Sequence, residues 1–277
     1  MRTDAPIGGS PHALRDILAV LLCAGFVLAA MAGALQRHDA PDMPNFDAIL
    51  SPPTLAHLLG TDELGRDVQS RVLGAAWTSL VIALLGIGGA SLAGGGLGLL
   101  AGALGGWPDR LAMRAMDVIL SFPGVLLALS LAAIFGAKEG VVTAAIALIN
   151  TPQMARLARA RTKVLKNHPL VEAEVALGFP PGQILLGTVL PHVTAPLVVQ
   201  ASLLLGGSIV TESYLSFLGL GVQPPTPTFG GMLHEALAYL DTAPWLAVIT
   251  TGATILAVLS FNLAGDALQD RLQILEP

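Results

Sequence analysis

Six stretches of this chain carry no Asp, Glu, Lys or Arg: 17–36, 72–108, 118–137, 140–155, a length within 175–211, and 242–265. About 20 apolar residues cross roughly 30 Å of hydrocarbon at 1.5 Å per helical residue. Runs of that length leave few folds open. A soluble domain has nowhere to bury them. With 12% charged against 53% hydrophobic residues it could not cover its own surface either. Period-two alternation is absent, which argues against a β-barrel. The expected fold is all-α and integral to the membrane, with six transmembrane helices. The 72–108 run holds 37 residues, too many for one simple span, so part of it is expected to be interfacial or tilted. The 140–155 run holds only 16 and is expected to borrow a turn from the side of Lys138 and Glu139. Pro191 and Pro196 put the start of the fifth span near Val193.

The Lys and Arg distribution predicts orientation. With the N-terminus in the cytoplasm, Arg2, Arg15, Arg110, Arg114, Arg156, Arg159, Arg161, Lys163, Lys166 and Arg271 fall inside. Arg37, Arg66, Arg71 and Lys138 fall outside. Both termini are therefore expected to be cytoplasmic. Residues 156–166, with five cations, are the strongest single contribution. Ala30-Met31-Ala32 has the small-residue pattern of a signal cleavage site. The apolar stretch is longer than a signal core, however, and the preceding segment balances Arg2 and Arg15 with Asp4 and Asp16. A retained first helix is expected.

Several chemistries lack their residues. Net charge is −5, so no basic nucleic-acid footprint exists. Cys23 is the only cysteine, which excludes an internal disulfide and a Cys-rich metal site. Gly-Lys never occurs, so there is no phosphate-cradling G-x-x-x-x-G-K-[ST] loop, and H-E-x-x-H and G-x-S-x-G are also absent. The six histidines are scattered, and His234-Glu235 reads as a solvated pair on an external helix. Neither an enzyme nor a resident cofactor is expected. The polar residues assigned to the spans, Asn150, Gln153, Gln200, Ser208, Ser260 and Asn262, are uncharged, and the amides among them read as helix–helix hydrogen-bonding groups and not as substrate contacts. A pump or stand-alone secondary transporter normally places a carboxylate at mid-membrane, and none is expected here. Gly86, Ala90, Gly94, Gly98, Gly102 and Gly106 recur every four residues. That spacing predicts a groove for close packing of another helix, with sliding against it as the less favoured reading.

The segment after the fourth span carries a mechanism. Asn167-His168-Pro169 can start a helix, Gly178 can end it in a left-handed conformation, and Pro180 and Pro181 can open the next one. A short helix, a tight turn and a second helix ending at Leu190-Pro191 are expected. Leu170, Val171, Ala173 and Leu177 suit docking against another protein, and equally a helix lying at the lipid interface.

Glu172-Ala173, then Gly178, then Leu190-Pro191 twelve residues later resembles the "EAA" loop of ABC-importer permeases. Glu174 stands where that family has a second Ala. Leu59-Gly60-Thr61-Asp62-Glu63-Leu64-Gly65-Arg66-Asp67 resembles a segment of the dipeptide/oligopeptide/nickel permeases, the C-type subunit in particular. So do Met113-Arg114 with Asp117 and Leu120-Ser121-Phe122-Pro123, the run from Leu215 to Pro225, and Phe261-Asn262-Leu263-Ala264-Gly265-Asp266 continuing to Asp270, where Gln269 replaces the usual Arg. The resemblance implies the type I importer fold, with ATP hydrolysis on partner subunits. It implies a second homologous permease forming a heterodimer, two ATP-binding subunits, an extracytoplasmic solute-binding protein and a bacterial inner membrane. Glu172, Ala173, Gly178, Leu190 and Pro191 would couple this chain to the ATPase. Residues 1–72 would form an N-terminal helix and outer loop, and 73–277 a core permease domain with its coupling loop at 156–191. Short peptides are the expected cargo, with nickel complexes, glutathione or opines as alternatives.

Overall fold

A computed structural model of the chain describes residues 11–36 and 43–273. Arg2, Asp4, Arg37 and Pro41 lie outside the described residues. Helices dominate, and among the described residues β-structure is limited to an isolated bridge between Thr61 and Asp67. The all-helical membrane fold expected from the uncharged runs is the fold found.

Helix α1 (Pro11–Gln36) packs on α2 (Val68–Leu104) and α10 (Pro244–Gln273). Phe26 meets Phe261 edge to face, with ring centroids 5.5 Å apart. Arg15 pairs with Asp270, and Arg271 Nε lies 3.5 Å from Asp16, so the start of α1 and the end of α10 share one end of the bundle. α2 is a single unbroken helix of 37 residues, about 55 Å long. Asp67 caps its start by accepting from the Ser70 N–H at 2.9 Å.

The 118–137 run is not one helix. α3 (Gly106–Leu120) and α4 (Gly124–Phe135) meet at 83° across Ser121, Phe122 and Pro123. Pro123 has no N–H to continue the ladder and keeps Phe122 away from helical angles. α4 is left with 12 residues, about 18 Å, short of the hydrocarbon thickness.

α5 (Glu139–Lys166) runs beside α2, and here the small-residue ladder acts as packing. A Cβ on Gly94 would strike the Thr151 carbonyl, one on Gly98 the Ala155 carbonyl, and one on Gly102 would come 2.7 Å from Thr162 Cβ. The ladder stops at Gly102, since Gly106 already belongs to α3 and faces open space. α6 (Pro169–Ala176) and α7 (Pro181–Ile184) follow. A π-helical turn at Leu185–Val189 then leads into α8 (Leu190–Phe217). α9 (Phe229–Leu237) and α10 close the bundle.

The helix that carries the fifth expected span does not begin near Val193. Pro181–Phe217 form one continuous apolar helical stretch of 37 residues, because the π-turn absorbs the proline. Leu190 N–H reaches back five residues to the Leu185 carbonyl, so the backbone is already out of α-register where Pro191 cannot donate. Among the described residues, four helices are long and apolar enough to cross a membrane, or five if the bent α3–α4 pair is one span. The fourth expected span, α5, is a 28-residue helix that is not among those four, and its second half carries the cations from Arg156 to Lys166.

A further expectation is overturned. The fifth span was bounded at residue 211 by the charge of Glu212, yet α8 continues to Phe217 with Glu212 fully buried. Ser79 Oγ of α2 donates to one of its oxygens at 2.7 Å, and Ser216 Oγ to the other at 2.7 Å. A carboxyl does sit within the bundle, therefore, and it ties α2 to α8. Among the amides, Asn150 differs from expectation: it donates to the Ile146 carbonyl of its own helix and not across to a neighbour, as Ser208 and Ser260 do to the carbonyls of Leu204 and Leu256.

Candidate coupling site

α6 forms where the sequence provides both a start and a stop. His168 is the N-cap, its Nδ1 accepting from the Leu170 N–H at 3.2 Å, and Pro169 occupies the first turn. The C-terminus is a Schellman closure. Gly178 N–H donates to the Val175 carbonyl at 3.0 Å and Phe179 N–H to the Glu174 carbonyl at 3.1 Å. Gly178 has φ +82°, with open space where a Cβ would stand. It is required for its backbone angle and not for close approach.

A single side chain of α6, Val171, is buried, in a cluster with Leu99, Ala158, Ile184, Val189 and Val193. Val171 therefore anchors the helix and is not part of a docking face, contrary to the sequence reading. The outward face is apolar. Leu170, Val175 and Leu177 are 47%, 60% and 77% exposed, with Phe179 and Leu186 beside them. Glu172 and Ala173 are exposed on the same short helix. Glu172 sits in the first turn, where a carboxylate favours the helix dipole.

Glu174 turns inward. Its Oε1 accepts from Thr188 Oγ1 at 2.7 Å, bridging α6 to the π-turn, while Oε2 is buried with no described partner. The residue that departs from the family pattern is thus an internal brace. Leu190 and Pro191 begin α8 immediately after the π-turn, so in chain order Glu172 and Ala173 precede, and Leu190 and Pro191 follow, the joint made by Gly178, α7 and the π-turn. Sequence reasoning missed Thr188. An acid in place of Ala, with a hydroxyl fourteen residues on, was the available signal.

This joint lies at the end of the bundle where α5 carries its basic residues. Asp109 of α3 is buried there between Arg159, whose Nη2 is 2.8 Å away, and Lys163, whose Nζ is 2.6 Å away. Arg156 Nη2 reaches Asp117 at 2.6 Å, and Lys166 Nζ donates to the Ala103 carbonyl at 2.8 Å. An open apolar groove of about 310 Å³ runs upward between α2 and α8, lined in part by Ser91, Gly95, Leu99, Val193, Thr194 and Leu197.

The opposite end is built from the segment between Leu59 and Asp67. Asp62 accepts from the Leu64 and Arg66 N–H groups, each at 2.9 Å, and from Arg66 Nε at 2.7 Å. Arg71 lies 3.3 Å from Asp62 and donates to Glu235 of α9 at 2.9 Å. Burial pushes the Glu235 carboxyl above its usual range, and the Arg71 cation partly offsets this. Glu235 is therefore not a solvated partner of His234, which packs its ring edge-on to Phe217. Among the described residues, no group of three or more His, Cys, Asp or Glu is placed to hold a metal ion.

Residues 94–274 match the family described as binding-protein-dependent transport system inner membrane component. The chain is 41% identical over 245 residues to the glutathione transport system permease protein GsiD of Pectobacterium atrosepticum, covering 88% of this chain and 81% of that protein. It is 42% identical over 246 residues to the proteins of the same name in Escherichia coli O1:K1 and Shigella sonnei, covering 89% of this chain and 81% of each.

Proposed function

The chain belongs to the inner-membrane components of binding-protein-dependent transport systems, the permeases of ABC importers, and from that premise we propose that it forms half of a transmembrane pathway for short peptides. It is a multi-pass inner-membrane permease and not an enzyme, and its system works with ATPase subunits and a binding protein. The finer reading is ours. A second, homologous permease of the same branch completes the pathway, with this chain as the C-type member. Both termini face the cytoplasm and α5 makes the sixth crossing. Residues 1–72 are an N-terminal unit attached to a core at 73–277.

The observation that carries the reading is α6: a short capped helix, anchored by Val171 and braced by Glu174, presenting an apolar face that nothing among the described residues covers. In the proposed mechanism that face seats in the ATPase subunit. ATP binding closes the ATPase pair, α6 moves, and the Glu174–Thr188 bridge passes the motion to the foot of α8. Glu172, Ala173 and Gly178 form the contact, and Leu190 and Pro191 the joint above it. The neutral α2–α8 groove suits a pathway that leaves selection to the binding protein. The relatives named as glutathione transport permeases favour the glutathione alternative, itself a tripeptide, over nickel complexes or opines.

Three experiments test this. Purifying the assembled system through a tag on this chain should bring down a different permease and the ATPases. A transport-competent homodimer would overturn the heterodimer. Identifying the ligand retained by the co-purified binding protein should return a short peptide, and a metal chelate would overturn that cargo. For topology, in a Cys23→Ser background, Asp47→Cys should react with an impermeant thiol reagent in intact cells and Lys166→Cys should not.

A further inference from the structure

α3 leaves one face uncovered. Its buried side is Asp109 and Met116, and its acids are taken by α5: Asp109 by Arg159 and Lys163, Asp117 by Arg156. These pairs set α3 alongside residues 156–163, just beyond the uncharged 140–155 stretch. That is headgroup depth if 140–155 lie in hydrocarbon.

Opposite Met116, Trp107, Leu111 and Val118 are 67%, 54% and 61% exposed. At 3.6 residues per turn they fall within an arc of about 40°. Arg110 and Arg114 flank that arc. Both are exposed, and neither has an ion-pair partner among the described residues; Arg110 Nε donates only to the Gly106 carbonyl at 3.3 Å. The face thus combines a Trp, two aliphatic side chains and two unneutralised guanidinium groups. A protein partner would have to supply buried acids to match them. A bilayer surface supplies both halves at once, acyl chains for the stripe and phosphates for the arginines.

We propose that the Trp107, Leu111 and Val118 stripe of α3 enters the membrane at the headgroup boundary, and that Arg110 and Arg114 bind the phosphates of anionic phospholipids there. This rests on the topology proposed above.

The test uses the assembled importer with its cysteines removed, Val118→Cys carrying an environment-sensitive fluorophore, reconstituted into phosphatidylcholine vesicles. Brominated phosphatidylglycerol should quench the label more than brominated phosphatidylcholine at equal mole fraction. About fivefold local enrichment per arginine is expected, shrinking as salt rises. Arg110→Gln with Arg114→Gln should equalise the two lipids while quenching persists. Equal quenching in the parent protein would overturn the headgroup site, and no quenching by either lipid would show a protein partner on this face. A reversed topology would invert the thiol labelling at residues 47 and 166 and leave the quenching ratio unchanged, so the two failures are distinguishable.

Discussion

Two motif segments at opposite ends of this bundle, Leu59–Asp67 and α6, handle their polar groups differently. At the end built from Leu59 to Asp67, nearly every charged group finds its partner within the chain. Asp62, Arg66 and Arg71 are all at or below 5% exposed and bonded to one another or to Glu235. At the α6 end, Glu172 is exposed without a described partner, and the apolar residues around it face outward. The first segment is closed on itself, so its residue pattern serves folding. The second is left open, so its pattern serves something outside the chain. A motif in a sequence does not distinguish these cases, and the location of its partners does.

Four substitutions can break or sharpen this contrast. Arg71→Ala should have the largest effect on the chain itself. It leaves Asp62 and Glu235 without that cation in a buried setting, at a cost of about 3–5 kcal/mol. Membrane-inserted protein should drop sharply on quantitative blotting, and normal levels with an unchanged melting temperature would refute the closed-end reading. Gly178→Val comes next. Positive φ costs a β-branched residue about 1–2 kcal/mol, so the α6 closure should fail while insertion persists. ATPase subunits should no longer co-purify. Gly178→Asn, which tolerates that angle, should largely restore them, since no neighbour obstructs the side chain.

Glu174→Ala removes one hydrogen bond and relieves one unpaired oxygen, a net of about 0.5–1.5 kcal/mol at most. The sequence alone predicted little loss, because Ala is the family residue. The Thr188 bond predicts instead a measurable loosening of residues 167–189, visible as faster proteolysis. A Glu174→Ala, Thr188→Val double-mutant cycle should be non-additive. Glu172→Ala should change stability least, within about 0.5 kcal/mol, yet abolish transport and substrate-stimulated ATP hydrolysis. Uptake at the parental rate in Glu172→Ala would remove the coupling role from the open end.

What the sequence made legible follows from how local each signal is. His168, Pro169 and Gly178 mark the ends of α6 because capping acts within a few residues. α1, α2 and α10 follow from uncharged runs. The charge rule failed where charge is satisfied inside. It ended α8 at residue 211 because a carboxylate normally leaves the membrane, and Ser79, 133 positions away in sequence, is what keeps Glu212 in. Prolines misled in both directions. Pro123 broke a run that its length made whole, and Pro191 did not break one, because the π-turn had already shifted the backbone. Val171 looked like a docking residue since helical periodicity gives a face without saying which side the core takes.

The seam between α2 and α5 has a mechanical consequence. With the Thr151 and Ala155 carbonyls pressed onto Gly94 and Gly98, the two backbones meet there with no α2 side chain between them. From Gly86 to Gly102, about 24 Å along α2, the two helices form one closely packed pair; α2 runs on to Asp67 and Arg71 at one tip, and the Asp109 clamp to Arg159 and Lys163 holds the other end. The α3 and α6 end and the Arg71–Glu235 joint therefore share one continuous helix, and not a chain of separate loop contacts.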